Sequence, residues 1–210
     1  MIENIIANER RLIVSRAVND DALDVLFRKA RTHRKWRAGA VTPQMLMAAY
    51  DLMRWGPTTN NTTPARIVFI VSPEAKERLR PHLNKGNIDQ TMSAPATAIL
   101  AYDTHFYDKM DKLSPNPGAK ESWSQKSPAE IQEAAFRGGT LQGAYFMLAA
   151  RAIGLDCGPM SGFDNAGVDR EFFAGTTIKS NFLCNLGYGD ETALRPRGGR
   201  LEFDEACRIL

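Results

Sequence analysis

Two arginines flank a threonine and a histidine in the stretch ARTHRKW, residues 30–36. A guanidinium group offers a planar fork of hydrogen-bond donors that matches the oxygens of a phosphate, and the hydroxyl group of Thr32 can add another. Arg31, Thr32, His33 and Arg34 are therefore candidates for a phosphate site. The alternative is a solvated basic helix end, where the two cations interact favourably with the helix dipole.

A second polar group lies in the stretch WGPTTNNTTPARIVFI, residues 55–70. Every residue between Pro57 and Pro64 has a hydroxyl or amide side chain. Of these, Thr58, Thr59 and Asn61 offer donors and acceptors on a loop that enters a strand. The alternative is turn and capping chemistry, because Thr and Asn readily bond their own backbone. The run is longer than a turn requires, so we favour a ligand-binding loop.

Two further stretches are rich in glycine and proline. In GLDCGPMSGFD, residues 154–164, Gly158, Pro159, Ser161 and Gly162 predict a tight turn that exposes backbone N–H groups to a flat ligand. The alternative is a simple turn between two helices. The stretch LRPRGGR, residues 194–200, carries three arginines and is either a second phosphate-sized cationic group or a basic surface loop.

Several common catalytic motifs are absent from the sequence. No G-x-G-x-x-G follows a strand, and there is no G-K-[ST], H-E-x-x-H or G-x-S-x-G motif. The three histidines are widely separated, so we expect no metal site. Because no nucleophile stands beside a base, no catalytic side chain is assigned. Polar ligand-binding loops without a reactive constellation indicate that a bound cofactor carries the chemistry.

The elements that would position these residues follow from hydrophobic periodicity and turn signals. Helices and strands alternate, which predicts an α+β or α/β layered structure. We expect helices over residues 20–31, 44–54, 74–82 and 136–153, and strands over residues 66–71, 96–102 and 182–186.

Residues 103–130 form a long polar excursion with three prolines that still carries Phe106, Tyr107, Met110 and Trp123. Such a segment is too long for a plain connection and often covers a site. It is either a lid or a mobile surface excursion.

Length and composition limit the class of protein. A chain of 210 residues with 43% hydrophobic and 24% charged residues fits a single globular domain, residues 1–210. A net charge of +3 without a basic stripe argues against a nucleic-acid partner, and no apolar run is long enough for a membrane span. Three distant cysteines and no cleavable signal layout favour buried free thiols in the cytoplasm.

In their order along the chain, the four polar clusters resemble the motifs of the flavin-dependent nitroreductase family. RTHRKW, WGPTTNNTTPARIVFI, GLDCGPMSGFD, KSNFLCNLGYGD and RLEFDEACRIL are most similar to its malonic semialdehyde reductase (3-hydroxypropanoate dehydrogenase) branch, which is associated with uracil catabolism. The resemblance extends from about residue 23 to Leu210. It implies a three-layer α/β/α fold of the α+β class, with a mostly antiparallel sheet flanked by helices, in a homodimer.

The resemblance also implies FMN as the bound cofactor and NADPH or NADH as the reductant. It places Arg31, Thr32, His33, Arg34, Arg197 and Arg200 around the FMN phosphate, with Arg195 as an alternative to either of the last two. It assigns the isoalloxazine ring and the ribityl chain to two groups of residues. Pro57, Thr58, Thr59 and Asn61 would contact the ring and the ribityl chain from the neighbouring subunit. Asn87 would bond the pyrimidine edge of the ring, and Pro159, Met160, Ser161 and Gly162 would lie under the ring.

The function implied is a ping-pong reduction of a small aldehyde by NAD(P)H. The alternatives are a nitroaromatic or quinone reductase on the same scaffold, and a flavin-binding protein without turnover. Compared with the wider family, Thr63 replaces a glutamine and Ala65 a tryptophan, which argues against a broad nitroaromatic acceptor. The glycine- and alanine-rich helix over residues 136–153 is either a dimer element or a helix buried within one subunit.

Overall fold

The computed structural model describes residues 17–210. Residues 1–16, the stretch in which the sequence shows no cleavable signal layout, lie outside the described part. Within residues 17–210, no helix combines the length and the apolar character that a membrane crossing needs.

Nine α-helices lie in the described part of the chain, and short 3-10 turns link several of them. The helices are α1 (Asp20–Leu23), α2 (Pro43–Met53), α3 (Pro73–Leu79), α4 (Lys85–Met92), α5 (Met110–Leu113), α6 (Ala119–Ser124), α7 (Pro128–Ala152), α8 (Asn165–Phe172) and α9 (Phe203–Ala206). A π-helical turn, Asp24–Arg28, extends α1. The predicted helix over residues 20–31 is thus confirmed, but it ends three residues earlier.

Within residues 17–210, five strands form one antiparallel sheet. They are β1 (Trp36–Arg37), β2 (Ala65–Ile70), β3 (Ala96–Asp103), β4 (Asp156–Met160) and β5 (Ile178–Gly189). Strand β5 pairs with β1, β3 and β4, and β3 also pairs with β2. All three predicted strands are present, and the sequence missed most of the length of β5.

Both faces of the sheet are covered, because alternate residues of each strand enter different clusters. Ile67 and Phe69 of β2 pack on the side of α2 and α7, whereas Val68 and Ile70 pack on the side of α3 and α8. This period of two places the sheet between two helical layers, so the predicted three-layer α+β fold is confirmed.

Helix α7 begins eight residues before the predicted start, because Ser127 and Glu130 form a capping box there. Its buried side is made largely of small residues, including Gly138, Gly139 and Gly143. An added Cβ on Gly139 would lie 2.8 Å from Cβ of Tyr102, so the absence of a side chain lets the helix lie against the sheet. The large apolar residues of this helix lie on both of its sides, since Leu141 and Tyr145 are exposed and Phe146 is buried.

The excursion over residues 103–130 has a core of its own. Phe106, Met110 and Trp123 are buried together against Tyr102 and the start of α7. Two short helices, α5 and α6, lie within this segment. Of the three cysteines, Cys157 and Cys184 are buried as predicted, but Cys207 is exposed, because it lies in a tail that packs on little else.

We predict that Gly139→Ala lowers the free energy of unfolding. Alanine favours a helix over glycine by about 1 kcal/mol, but its methyl group would clash with a strand residue that cannot rotate away, and overpacking costs about 1–3 kcal/mol. Urea unfolding should give a net loss of about 1 kcal/mol. The control is Gly86→Ala in α4, where no atom lies within 4 Å of the added Cβ, and it should be neutral or stabilising. Equal effects of the two substitutions would contradict the close contact.

Candidate functional site

A cationic cavity of about 500 Å³ brings together two of the sequence clusters, ARTHRKW and LRPRGGR. Arg31 and Arg195, for example, are 164 positions apart, and the two clusters meet only in the folded chain. Among residues 17–210, six arginines and no Asp or Glu line the cavity. They are Arg31, Arg34, Arg151, Arg195, Arg197 and Arg200. All three C-terminal arginines line the cavity, so the lining alone does not choose between them.

Hydrogen bonds to carbonyl groups hold the C-terminal arginine loop against the end of the π-helical turn. Nη2 of Arg197 donates to the carbonyl oxygens of Arg28 at 2.9 Å and Ala30 at 3.2 Å. Nη2 of Arg31 donates to the carbonyl oxygen of Arg195 at 2.5 Å. These bonds use only part of each guanidinium fork and neutralise no charge, so the remaining donors can bind an anion.

Thr32 and His33 point in opposite directions because the backbone is extended here. Thr32 forms a parallel bridge with Cys157, and the backbone N–H of His33 donates to the carbonyl oxygen of Cys157 at 3.0 Å. In an extended segment, alternate side chains lie on opposite sides. Thr32 lines the cavity beside Arg31, whereas His33 is only 4% exposed and does not line it.

His33 instead packs against the far end of β5. Its ring lies so close to Gly189 that an added Cβ would be 2.0 Å from Nδ1. Its Nε2 lies 3.4 Å from Oδ1 of Asp156, whose other carboxylate oxygen accepts the backbone N–H of Gly189 at 2.8 Å. Within residues 17–210, Nδ1 of His33 has no hydrogen-bond partner. This histidine anchors the segment that carries the cavity residues.

The threonine- and asparagine-rich loop has an uncommon backbone. Asn60, Asn61 and Thr63 have φ angles of 50°, 56° and 37°, a left-handed region that is unfavourable for a β-branched residue. Oγ1 of Thr58 accepts the backbone N–H of Thr63 at 3.1 Å, and Nδ2 of Asn61 donates to the carbonyl oxygen of Leu113 at 2.8 Å. The loop is therefore held in a strained shape by its own hydroxyl group and by the excursion.

Within one chain, this loop does not reach the arginine cavity. Asn60 and Asn61 line a separate cavity of about 400 Å³ beside Trp123 of the excursion. Thr59 lines a further depression near the start of α7. The structure therefore joins the first and fourth sequence clusters, and it leaves Pro57, Thr58, Thr59 and Asn61 elsewhere on the same subunit.

The turn after β4 lies against the start of α4. Nδ2 of Asn87 donates to the carbonyl oxygen of Gly162 at 2.8 Å, so these two predicted site residues are in contact. Pro159 and Met160 belong to β4, and only Ser161 and Gly162 form the turn. The predicted tight turn over the whole stretch is therefore shorter, because main-chain pairing with β5 continues to Met160.

Behind this wall lies a buried polar network that the sequence did not reveal. Nε2 of Gln90 donates to Oδ1 of Asn87 at 2.5 Å, which orients the Asn87 carboxamide. Asn185 is fully buried and donates to the carbonyl oxygen of Gln90 at 3.1 Å. Oγ1 of Thr97 donates to Oδ1 of Asn185 at 2.7 Å. In the sequence, this network is indicated only by the polar residues Thr97 and Asn185 inside the apolar strands β3 and β5.

The network ends at a buried lysine. Nζ of Lys76 donates to the carbonyl oxygens of Thr91 at 2.6 Å and Ala94 at 2.5 Å, and Lys76 is 4% exposed. No carboxylate of the described residues forms an ion pair with it. Burial penalises the charged form and lowers the pKa of Lys76 from 10.5 to about 8.

The lysines of the excursion do not converge on a common point. Nζ of Lys120 forms an ion pair with Asp108 at 3.3 Å, and Lys109 and Lys112 are exposed on the surface. The excursion offers no preformed cation cluster for a carboxylate acceptor. Its role as a lid stays a prediction.

Comparison with known proteins adds a family match. Residues 27–188 match the model of the nitroreductase family. The chain is 56% identical over 196 residues to a Stenotrophomonas maltophilia K279a protein named "Putative NADH dehydrogenase/NAD(P)H nitroreductase". The aligned residues are 93% of this chain and 100% of that protein. The region matched by the family model contains the first three polar clusters, and the fourth begins beyond residue 188.

Solved structures share the fold at low identity. A "putative nitroreductase in complex with FMN" from Exiguobacterium sibiricum superposes with a TM-score of 0.81 at 17% identity, over 93% of this chain and 100% of that one. A "putative NAD(P)H:FMN oxidoreductase" from Staphylococcus epidermidis gives 0.78 at 18% identity, over 93% and 98%. At such identities the likeness concerns the architecture alone.

We predict that the buried lysine makes stability depend on alkaline pH. Below about pH 8 Lys76 is charged in both the folded and the unfolded chain. Between about pH 8 and 10.5 the folded chain has lost this proton and the unfolded chain still holds it, so stability rises with pH. From pH 7.5 to pH 9.5, the free energy of unfolding measured in urea should rise by about 2 kcal/mol more for wild type than for Lys76→Met. Parallel profiles of unfolding free energy against pH for wild type and Lys76→Met would contradict this. The control is Lys112→Met, because Lys112 is exposed, and its profile should match that of wild type.

Proposed function

This chain belongs to the nitroreductase family as an FMN-dependent NAD(P)H oxidoreductase, and we propose that it reduces a small aldehyde, such as malonic semialdehyde, to the alcohol. The observation that carries the assignment of a site is the cationic cavity, to which both predicted phosphate clusters contribute. The choice of acceptor rests on the motif resemblance.

In this proposal, the cavity binds the phosphate of FMN. Arg31, Thr32, Arg34, Arg197 and Arg200 would hold it, because their donors line the same space and no carboxylate of the lining competes with the anion. His33 would act from behind the site rather than on the phosphate, since its ring is packed on β5. The cavity therefore fits a phosphate monoester in charge and in donor type.

The turn after β4 would face the isoalloxazine ring. Asn87 is already oriented by Gln90, and it keeps unused donor and acceptor capacity for the pyrimidine edge of the ring. Pro159, Met160, Ser161 and Gly162 would lie beside the ring. Met160 is fixed by Oγ1 of Thr91, which approaches its sulfur to 3.5 Å. Strand β4 joins this wall to the arginine cavity.

The chemistry would follow a ping-pong course in one place. When bound, FMN supplies a ring that takes a hydride from NAD(P)H and returns it to the aldehyde carbon, and a proton from solvent completes the alcohol. The protein would orient this ring and exclude competing reactions. Backbone N–H groups of the turn would favour negative charge at the ring edge. A nitroaromatic or quinone acceptor is the alternative, and the name of the Stenotrophomonas relative favours it.

We further propose that two copies of the chain share each site. The loop with Pro57, Thr58, Thr59 and Asn61 lies outside the arginine cavity of its own subunit, so it is free to serve another one. Large apolar side chains are exposed along the outer face of α7 and near the end of α2. They are Phe136 at 48%, Leu141 at 44%, Tyr145 at 40%, Leu52 at 49% and Trp55 at 78%. Such a surface is typical of an interface with another protein.

The setting that follows is pyrimidine catabolism in the cytoplasm, where malonic semialdehyde would be the acceptor. Buried Cys157 and Cys184 remain free thiols, in keeping with a reducing compartment. This setting rests on the same motif resemblance as the acceptor.

We predict that the purified protein is yellow and bleaches when NADPH or NADH is added without oxygen. Malonic semialdehyde should then restore the colour and should give a higher kcat/KM than a panel of nitroaromatics and quinones.

The matched variants are Arg31→Ala and Arg80→Ala, because Arg80 lies outside the cavity and pairs with Glu77. FMN should dissociate at least tenfold more readily from the Arg31 variant only. A preparation that stays colourless with added FMN would refute the cofactor site, and preferred turnover of nitroaromatics would refute the acceptor.

We predict that two defective chains complement each other if the site is shared. Thr59→Val suits the loop because its side chain is exposed, and Arg31→Ala suits the cavity. In a mixed dimer, one site carries both changes and the other carries neither. Purification through two different tags should therefore recover about half of the wild-type FMN content, whereas each variant alone should bind FMN weakly. No recovery in the mixed dimer, or a monomer in light scattering, would contradict the sharing of sites.

A further inference from the structure

The hydrogen bonds of the buried network start from the ammonium group of Lys76, which has three donors and no acceptor. Its Nζ uses two of them on the carbonyl oxygens of Thr91 and Ala94, at 2.6 and 2.5 Å. The third reaches Oγ1 of Thr97 at 3.4 Å. Because Thr97 accepts there, its own proton points onward to Oδ1 of Asn185 at 2.7 Å. The charge therefore fixes the orientation of a hydroxyl group on β3.

From Asn185 the hydrogen bonds continue to two residues of the wall beside the turn after β4. Nδ2 of Asn185 donates to the carbonyl oxygen of Gln90 at 3.1 Å and to Oγ1 of Thr91 at 3.3 Å. The Thr91 hydroxyl in turn approaches the sulfur of Met160 to 3.5 Å. The side chain of Gln90 holds Oδ1 of Asn87 at 2.5 Å. Asn185 and Thr91 are fully buried, so water cannot replace a partner that either of them loses.

We propose that Lys76 is a positioning residue of the flavin site, and that its ammonium group sets the direction of these hydrogen bonds and thereby fixes Asn87 and Met160. This inference rests on the proposed function, which assigns those two residues to the isoalloxazine ring. A neutral amine has only two donors and carries a lone pair, so the Thr97 hydroxyl can turn round and donate to Nζ. Oδ1 of Asn185 then loses its donor, and the support behind the wall is weakened.

Burial, rather than a neighbouring charge, controls this proton. Desolvation alone lowers the pKa of Lys76 to about 8. The charged side chains of the surrounding elements are exposed or paired with one another, and His82 packs on Gly167 of α8. The pairs are Glu77–Arg80, Arg78–Glu171, Arg66–Asp103 and Asp169–Lys179, and the exposed residues are Glu74, Lys85 and Asp89.

The alternative is that Lys76 only caps helix α4. Thr91 lies in the last turn of α4, where a cation is favourable to the helix dipole. Such a cap needs the two carbonyl bonds alone and gives Thr97 no role. Thr97→Val separates the two possibilities, because it leaves Lys76 and both carbonyl groups in place and removes only the hydroxyl group that leads to Asn185.

The first test uses the protein without FMN, so that its result does not depend on the proposed function. Methionine methyl groups are labelled with ¹³C, and the NMR signal of Met160 is assigned with Met160→Leu. In wild type this signal should shift with a midpoint near pH 8, because the hydrogen bonds end on its sulfur. The shift should be lost in Lys76→Met and in Thr97→Val.

The control for this titration is Lys112→Met, at an exposed lysine, which should behave as wild type. If Lys76→Met does not fold, Thr97→Val carries the comparison alone. A Met160 signal that stays constant from pH 7 to 9.5 in wild type, or that titrates equally in Thr97→Val, would overturn the inference.

The second test measures the dissociation constant of FMN by quenching of flavin fluorescence at pH 7 and 9. Wild type should bind FMN about fivefold more weakly at pH 9, which corresponds to about one hydrogen bond. Thr97→Val should already bind about fivefold more weakly at pH 7 and should lack this dependence. The titration of FMN itself is common to all variants, so it cancels in the comparison.

Each remaining outcome has a distinct meaning. Equal FMN dissociation constants for wild type and Thr97→Val at both pH values would reduce Lys76 to a cap of α4 and overturn the inference. A wild-type protein that binds no FMN but shows the Met160 titration would refute the proposed function, and it would still confirm that Lys76 orients this wall.

Discussion

Backbone contact between the Thr32–His33 segment and strand β4 determines where both halves of the candidate site lie. The carbonyl oxygen of His33 is so close to β4 that an added Cβ on Gly158 would be 2.5 Å away, so a side chain at this position would separate the two. On one side of this contact lies the arginine cavity. A few residues further along β4, Met160 and Gly162 form the wall that holds Asn87. A single strand therefore sets the distance between the anion-binding part of the site and its flat wall.

Much of the fold follows from local patterns, because strands and helices bury residues at different periods. The continuous apolar run of β2 and the Thr42-Pro43 and Ser72-Pro73 pairs at the starts of two helices predict their elements within a few residues. The sequence also indicates two arginine clusters as candidate anion sites, because closely spaced guanidinium groups can bind the oxygens of one phosphate. It treats His33 like its neighbours, although an extended backbone turns every second side chain inward. Arg151 resembles any arginine in the last turn of a helix, and only the fold brings it to the cavity.

The outer face of α7 shows why amphipathicity alone assigns the wrong side of this helix. Large apolar residues predict the buried stripe in most helices, but α7 packs on the sheet through glycines and alanines. The close approach leaves Leu141 and Tyr145 facing outward. Residue size, rather than hydrophobicity, decides which face the sheet accepts. The same rule makes this helix suitable for two contacts, one with its own sheet through small residues and one with a second surface through large ones.

The crowding of guanidinium groups around one cavity also bears on how the chain folds. Without an anion, these groups repel one another across a short distance, and the C-terminal loop that carries three of them is held mainly by bonds to carbonyl oxygens. Any anion that occupies the cavity binds the folded chain far better than the unfolded one, and so raises the free energy of unfolding by mass action. Simple salts relieve the repulsion less completely, by screening. If this cavity holds the FMN phosphate, as proposed, maturation of the protein in a cell would be coupled to its supply of phosphorylated cofactor, and the cofactor would take part in folding as well as in chemistry.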